Sequence, residues 1–200
     1  MPLIPPIDTA DLDTATRERV ARAADWMGYR PNDALTMARV PGLLEASAVL
    51  IEAAYAPGKV DTLLKRMTAY LSSRVAGCRY CEAHTAHGLA RNGLDEEKLA
   101  AIWQYRVSPL FSPAERAALE FAAATALDPD NVDPAVVTEL KSHYDDDQIA
   151  ELTAVLALFA FLNRWNSTVA TELEDAPLNY ARETLQHTGF APGRHAGEEN

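Results

Sequence analysis

The chain has 200 residues, 48% of them hydrophobic and 24% charged, so it can bury a core and is not a disordered chain. Eighteen basic against 29 acidic residues give a net charge of -11, which makes phosphate-bearing partners, nucleic acid and anionic membrane alike, poor expectations. Two cysteines are too few for a secreted disulfide scaffold, and the first twelve residues carry three prolines and two aspartates rather than an export signal, so a cytoplasmic location is expected. The longest apolar stretch, Leu152 to Leu162, is shorter than the roughly 20 residues needed to cross a bilayer.

The elements read as helix nearly throughout, and the expected fold class is all-α, a single domain of about eight to ten helices over residues 1–190 with a flexible tail over 191–200. Alanine, leucine and glutamate favour helix, and the alternating Val/Ile/Thr runs that mark strands are absent. A first helix is expected near Asp11–Trp26, a short one opening at Pro31-Asn32-Asp33, and another from Pro41 towards Ala54 before the Pro57-Gly58 break. The next, about Val60–Val75, carries Leu63, Met67 and Leu71 at four-residue spacing, a buried stripe. A helix over about Cys78–Arg91 ends at Asn92-Gly93, and Asp95-Glu96-Glu97 opens a short one through Trp103. Ser112-Pro113-Ala114-Glu115 is a capping box with proline in the first turn, opening a helix to about Leu127. Pro134–Tyr144 is short. Asp145 caps a long helix running towards Glu172, apolar almost all round and expected to be the central one, with Val155, Leu156 and Phe159 as core or subunit interface. Pro177 is expected to stop it, with a last helix over Leu178–Thr188.

One segment carries chemistry: Gly77-Cys78-Arg79-Tyr80-Cys81-Glu82-Ala83-His84-Thr85-Ala86-His87-Gly88. Both cysteines lie in it, three apart at a helix start, where i and i+3 share a face and the positive helix end stabilises a thiolate. Such a pair can cycle between dithiol and disulfide, with Arg79 adding positive charge and His84 relaying a proton. Zinc is a second use of Cys78, Cys81, His84 and His87. However, four ligands stepped along one helix span roughly 13 Å and cannot all reach one ion, so neither a metal nor a nucleotide cofactor is expected. The bland alternative is a pair of small buried thiols with structural histidines. Glu82 reads as a first-turn charge and His87 as structural.

This segment, with Gly88-Leu89-Ala90-Arg91-Asn92-Gly93-Leu94-Asp95-Glu96-Glu97 after it and Asn163-Arg164-Trp165-Asn166 further on, resembles the core of the alkylhydroperoxidase D and carboxymuconolactone decarboxylase superfamily. The likeness is close in the middle and loose over about residues 60–172. It implies an alkylhydroperoxidase D-like helical fold and a homo-oligomer (dimer, trimer or hexamer). It also implies a peroxidase cycle in which Cys81 attacks a hydroperoxide, Cys78 resolves the product, and an external dithiol or protein reductant restores both. Two positions depart from the pattern: Thr85 stands where the family's histidine usually lies, and Arg66 where its relay glutamate lies. Arg66 or Arg79 would then bias Cys81 towards thiolate. The departures keep two other readings open: a decarboxylase-like enzyme acting on a small organic acid through His84, and a non-enzymatic redox sensor. Asn163 and Trp165 are candidates to line a pocket near the thiols.

Overall fold

The computed structural model describes residues 2–197, and among them there are ten α-helices and no strand. In chain order they are α1 (Thr14–Met27), α2 (Asn32–Met37), α3 (Leu43–Ala54), α4 (Thr62–Val75) and α5 (Arg79–Arg91). They continue with α6 (Glu96–Ala101), α7 (Pro113–Leu127), α8 (Pro134–His143), α9 (Asp146–Val169) and α10 (Asp175–Thr184). Aspartates cap many of the starts: Asp13, Asp61, Asp95, Asp133 and Asp145 each accept a first-turn amide at the positive helix end. The capping box read at Ser112 and Glu115 is formed in full.

The central helix is α4, not α9. It packs against α5, α7 and α9 and is buried along most of its length, with Met67 and Leu71 in the core and Leu63 only partly covered. α9 buries Val155, Leu156 and Phe159 on one face but leaves Ala150, Ala154, Ala157 and Ala160 exposed on the other. Alanine is apolar enough to read as core and small enough to sit at the surface, so helical periodicity alone could not separate the two helices.

α9 also ends earlier than expected. Ala170 takes a left-handed φ of 51°, its amide and that of Thr171 both bond the Asn166 carbonyl, and the Thr171 hydroxyl bonds the Asn166 side chain. Pro177 does not stop α9. It sits in the first turn of α10, where its missing N–H costs nothing. The early stop turns the chain back over α5 and brings Glu172-Leu173-Glu174 to the thiol region. The segment after α10, patternless in sequence, folds back too: His195 is buried, its ring on the Thr171 carbonyl at 2.7 Å and its own carbonyl accepting from Leu173. Residues 198–200 of the expected tail lie outside the described residues. No helix among the described residues is long and apolar enough to cross a membrane.

Candidate active site

Ala76-Gly77-Cys78 joins α4 to α5. Gly77 has φ 74°, and the Cys78 amide reaches back to the Ser73 carbonyl, which closes α4 tightly. The turn leaves Cys78 as the N-cap of α5. Its sulfur accepts the Cys81 amide at 3.3 Å, where a serine or aspartate oxygen usually sits. Both thiols are free and buried, with 0% of Cys78 and 3% of Cys81 exposed.

Their environments differ. Hydrogen bonding from the Cys81 thiol holds Cys78 below the ordinary thiol range despite burial, helped by the Cys81 amide, Ser167 and the charge on His84. Burial pushes Cys81 well above that range, and the neighbouring Cys78 sulfur adds to the rise. The Asn166 side-chain amide, 3.5 Å from the Cys81 sulfur, opposes it.

His84 stands in a network assembled from three distant parts of the chain. Its Nε2 lies 2.6 Å from Glu174 and its Nδ1 3.1 Å from the Tyr29 hydroxyl, while its ring stacks on Tyr80 at 4.1 Å between centroids. Tyr80 donates to the other Glu174 oxygen at 2.9 Å, and the Asn32 amide donates to that same oxygen at 2.5 Å. Burial works against a charged His84, but the charge and hydrogen bond of Glu174, with Asp33 behind, outweigh it and hold the imidazole above its ordinary 6.5. Glu174 is held below the usual carboxylate range: its burial is overcome by His84 and the Asn32 amide. Asp33 goes the other way, raised by burial and by the Glu174 charge, with His84, the Ala34 amide and Asn166 opposing.

Most of the remaining expectations are redistributed. Glu82 is more than a first-turn charge: it is fully buried and held by Arg74 at 2.8 Å and Arg79 at 2.7 Å. Arg79 is thereby committed to Glu82, and Arg66 lies between Trp26 and Tyr55, so the charge that favours the Cys78 thiolate is that of His84. His87 packs between Tyr29 and Tyr180. Asn166, rather than Asn163, reaches a thiol, and the Trp165 indole donates to Thr36. No group of three or more His, Cys, Asp or Glu side chains among the described residues is arranged to hold a metal ion. Glu174, Asp33 and Tyr29 were not legible as site residues. The Glu-Leu-Glu-Asp run after the long helix was their one faint signal, and only a helix end at Val169 gives it meaning.

Residues 41–124 match the model of the carboxymuconolactone decarboxylase family. A solved debrominase, Bmp8, is 33% identical over 92% of this chain and 96% of its own, with a TM-score of 0.82. The chain belongs to the alkylhydroperoxidase D and carboxymuconolactone decarboxylase superfamily. A peroxidase-related protein from Ralstonia eutropha, built on an alkylhydroperoxidase D core, shares the fold at 22% identity, with a TM-score of 0.79 over 88% of this chain and 94% of its own. Among curated relatives, the uncharacterized protein YnjA of Escherichia coli is 34% identical over 110 residues, 55% of this chain. YdfG of Bacillus subtilis is 27% identical over 96 residues, 47% of this chain. The matches span 60% and 63% of those two relatives' lengths. In this chain the Cys78/Cys81 pair stands at the start of α5, which packs on α4.

Proposed function

We propose that this protein is a thiol-dependent oxidoreductase that delivers two electrons from the Cys78/Cys81 pair to a hydroperoxide. The observation that carries the reading is geometric: the Cys78 sulfur caps α5 and accepts the Cys81 amide at 3.3 Å, beside the buried Cys81 thiol, while His84, three residues on, lies 2.6 Å from Glu174. The Cys78 thiolate attacks the outer hydroperoxide oxygen, the O–O bond breaks, and the leaving alkoxide takes the His84 proton. Cys81 then attacks the sulfenic sulfur, loses its own proton and displaces water, giving a Cys78–Cys81 disulfide. An external dithiol returns the pair to the reduced state. A reducing compartment such as the cytoplasm would supply it.

The likeness to Bmp8 favours one second reading: the same dithiol reducing a halogenated aromatic ring. A cysteine-to-alanine variant of that debrominase, in complex with 2,3,4-tribromopyrrole, is 32% identical to this chain with a TM-score of 0.83. The balance is equally simple. The carbon–halogen bond is exchanged for carbon–hydrogen, two thiols become a disulfide, and hydrogen halide leaves, with His84 as the proton source.

Assembly into a homo-oligomer is part of the proposal. Val49 and Leu50 on α3 and the alanine face of α9 present exposed apolar surface, and α3 packs on α9.

The test is thiol titration with one equivalent of hydroperoxide. The parent should lose both thiols and regain them with a dithiol. Cys78→Ser should lose turnover, and Cys81→Ser should trap a sulfenic acid on Cys78. Trapping on Cys81 in the Cys78→Ser variant would reverse the roles. Inert thiols with hydroperoxide, alongside halide release from a halogenated pyrrole, would select the second reading.

A further inference from the structure

Arg66 is the unusual cation of this molecule. The chain carries 29 acidic residues, yet among the described residues Arg66 has no carboxylate and no hydrogen-bond acceptor, and its Nε is buried without a partner. The neighbouring arginines are all engaged: Arg74 and Arg79 on Glu82, Arg91 on the Trp26 carbonyl. The Arg66 guanidinium lies instead over two rings, 4.8 Å from the Tyr55 centroid and 5.6 Å from that of Trp26. The Tyr55 hydroxyl also has no hydrogen-bond partner among the described residues, and Trp26 leaves 60% of its surface open, a large exposure for an indole. A guanidinium half-removed from water with its fork unused is costly unless something supplies the acceptor.

Its position ties it to the thiols. Arg66 Nη1 points at Gly88, whose missing side chain leaves the helix floor bare: an atom at its Cβ position would meet only that nitrogen, at 3.8 Å. Cys81, Thr85 and Gly88 share one face of α5, and Gly88 lies seven residues, about 10 Å along the axis, beyond Cys81. On the other side, Tyr29 on His84 and Trp26 on Arg66 lie three residues apart at the end of α1.

We infer that Arg66, flanked by Trp26 and Tyr55, is a recognition subsite for the anionic group of an organic substrate, a carboxylate on an aromatic or acyl body. The body would lie along the Thr85–Gly88 face with its reacting atom at the thiols. The inference deepens the thiol-reductase reading by naming a substrate class. It takes hydrogen peroxide, far too short to span from guanidinium to sulfur, out of the preferred substrates. The carboxylate accepts two hydrogen bonds from the guanidinium fork, and the flat rings cover the body.

The experiment is calorimetric titration of the full chain with phenylacetate and with its uncharged analogue phenylacetamide. Both are run also on Arg66→Gln, Arg66→Lys and a Cys78→Ser/Cys81→Ser double variant. The parent should bind the acid about ten- to a hundredfold tighter than the amide. Arg66→Gln should erase that difference, Arg66→Lys should keep part of it, and the double variant should bind like the parent. Equal binding of acid and amide, unchanged affinity in Arg66→Gln, or no saturable binding at millimolar concentrations would overturn the subsite. Should Arg66→Gln fail to fold, the acid–amide comparison in the parent and in Arg66→Lys decides. Inert thiols beside Arg66-dependent binding of the acid would overturn the thiol-reductase reading and leave the subsite standing.

Discussion

Glu174 is the residue on which the proposed proton chemistry turns. It touches no thiol, but its charge and hydrogen bond keep His84 protonated at a pH where a buried imidazole would otherwise be neutral. Glutamine at that position keeps a hydrogen-bonding group and removes the charge. In Glu174→Gln, His84 should therefore lose its proton at lower pH, and the alkaline limb of the kcat/KM profile should move towards acid. A purely structural role for Glu174 would lower the rate without moving that limb. Replacing His84 itself with alanine should cost about 10²- to 10⁴-fold in turnover, the usual worth of a positioned acid.

The turn between α4 and α5 sets the geometry of Cys78. Gly77 has a left-handed φ of 74° with nothing within 4 Å of where a Cβ would stand, so substitution there meets conformational strain and no clash. Gly77→Ala should cost about 1 kcal/mol, read as a lowered Tm in thermal unfolding. An unchanged Tm would mean that the turn relaxes freely. The CxxC helix and its cap were legible because they rest on local rules: spacing, a helix start and a glycine stop. The end of α9 was not. Ala170 gives no hint of a left-handed cap, and the stop is enforced by Asn166 and Thr171 bonding to each other. Proline was the only visible terminator, and it belongs to the next helix.

At the scale of the molecule, charge and surface make two predictions. Glu174, held below its ordinary 4.5, stabilises the fold above that pH and loses its contribution as the pH falls through its folded value. His84, held above 6.5, contributes fully below that value and loses its contribution as the pH rises through its folded pKa. Asp33, raised by burial, costs stability once it ionises, which also favours the lower side. The pair should thus favour the fold most between about 4.5 and 6.5. In Glu174→Gln, the Tm difference from the parent should be largest in that window and should shrink at both ends. A pH-independent difference would sink the linkage. The second prediction concerns assembly. A charge at Leu50, half-exposed on the apolar face of α3, should dissociate the proposed homo-oligomer, read by light scattering as a fall in mass with helicity unchanged. An unchanged mass would move the interface elsewhere.

The sequence by itself determined the all-helical class, most helix starts, the paired thiols and the nearby histidine, because capping, periodicity and i,i+3 neighbours are local physics. The tertiary structure decided which carboxylate serves His84 and which helix is central. Those depend on residues 50 to 140 positions apart meeting in a buried, low-dielectric space. There, Tyr29, Asn32, Asp33 and Glu174 act on α5 through desolvation and charge rather than through any spacing along the chain.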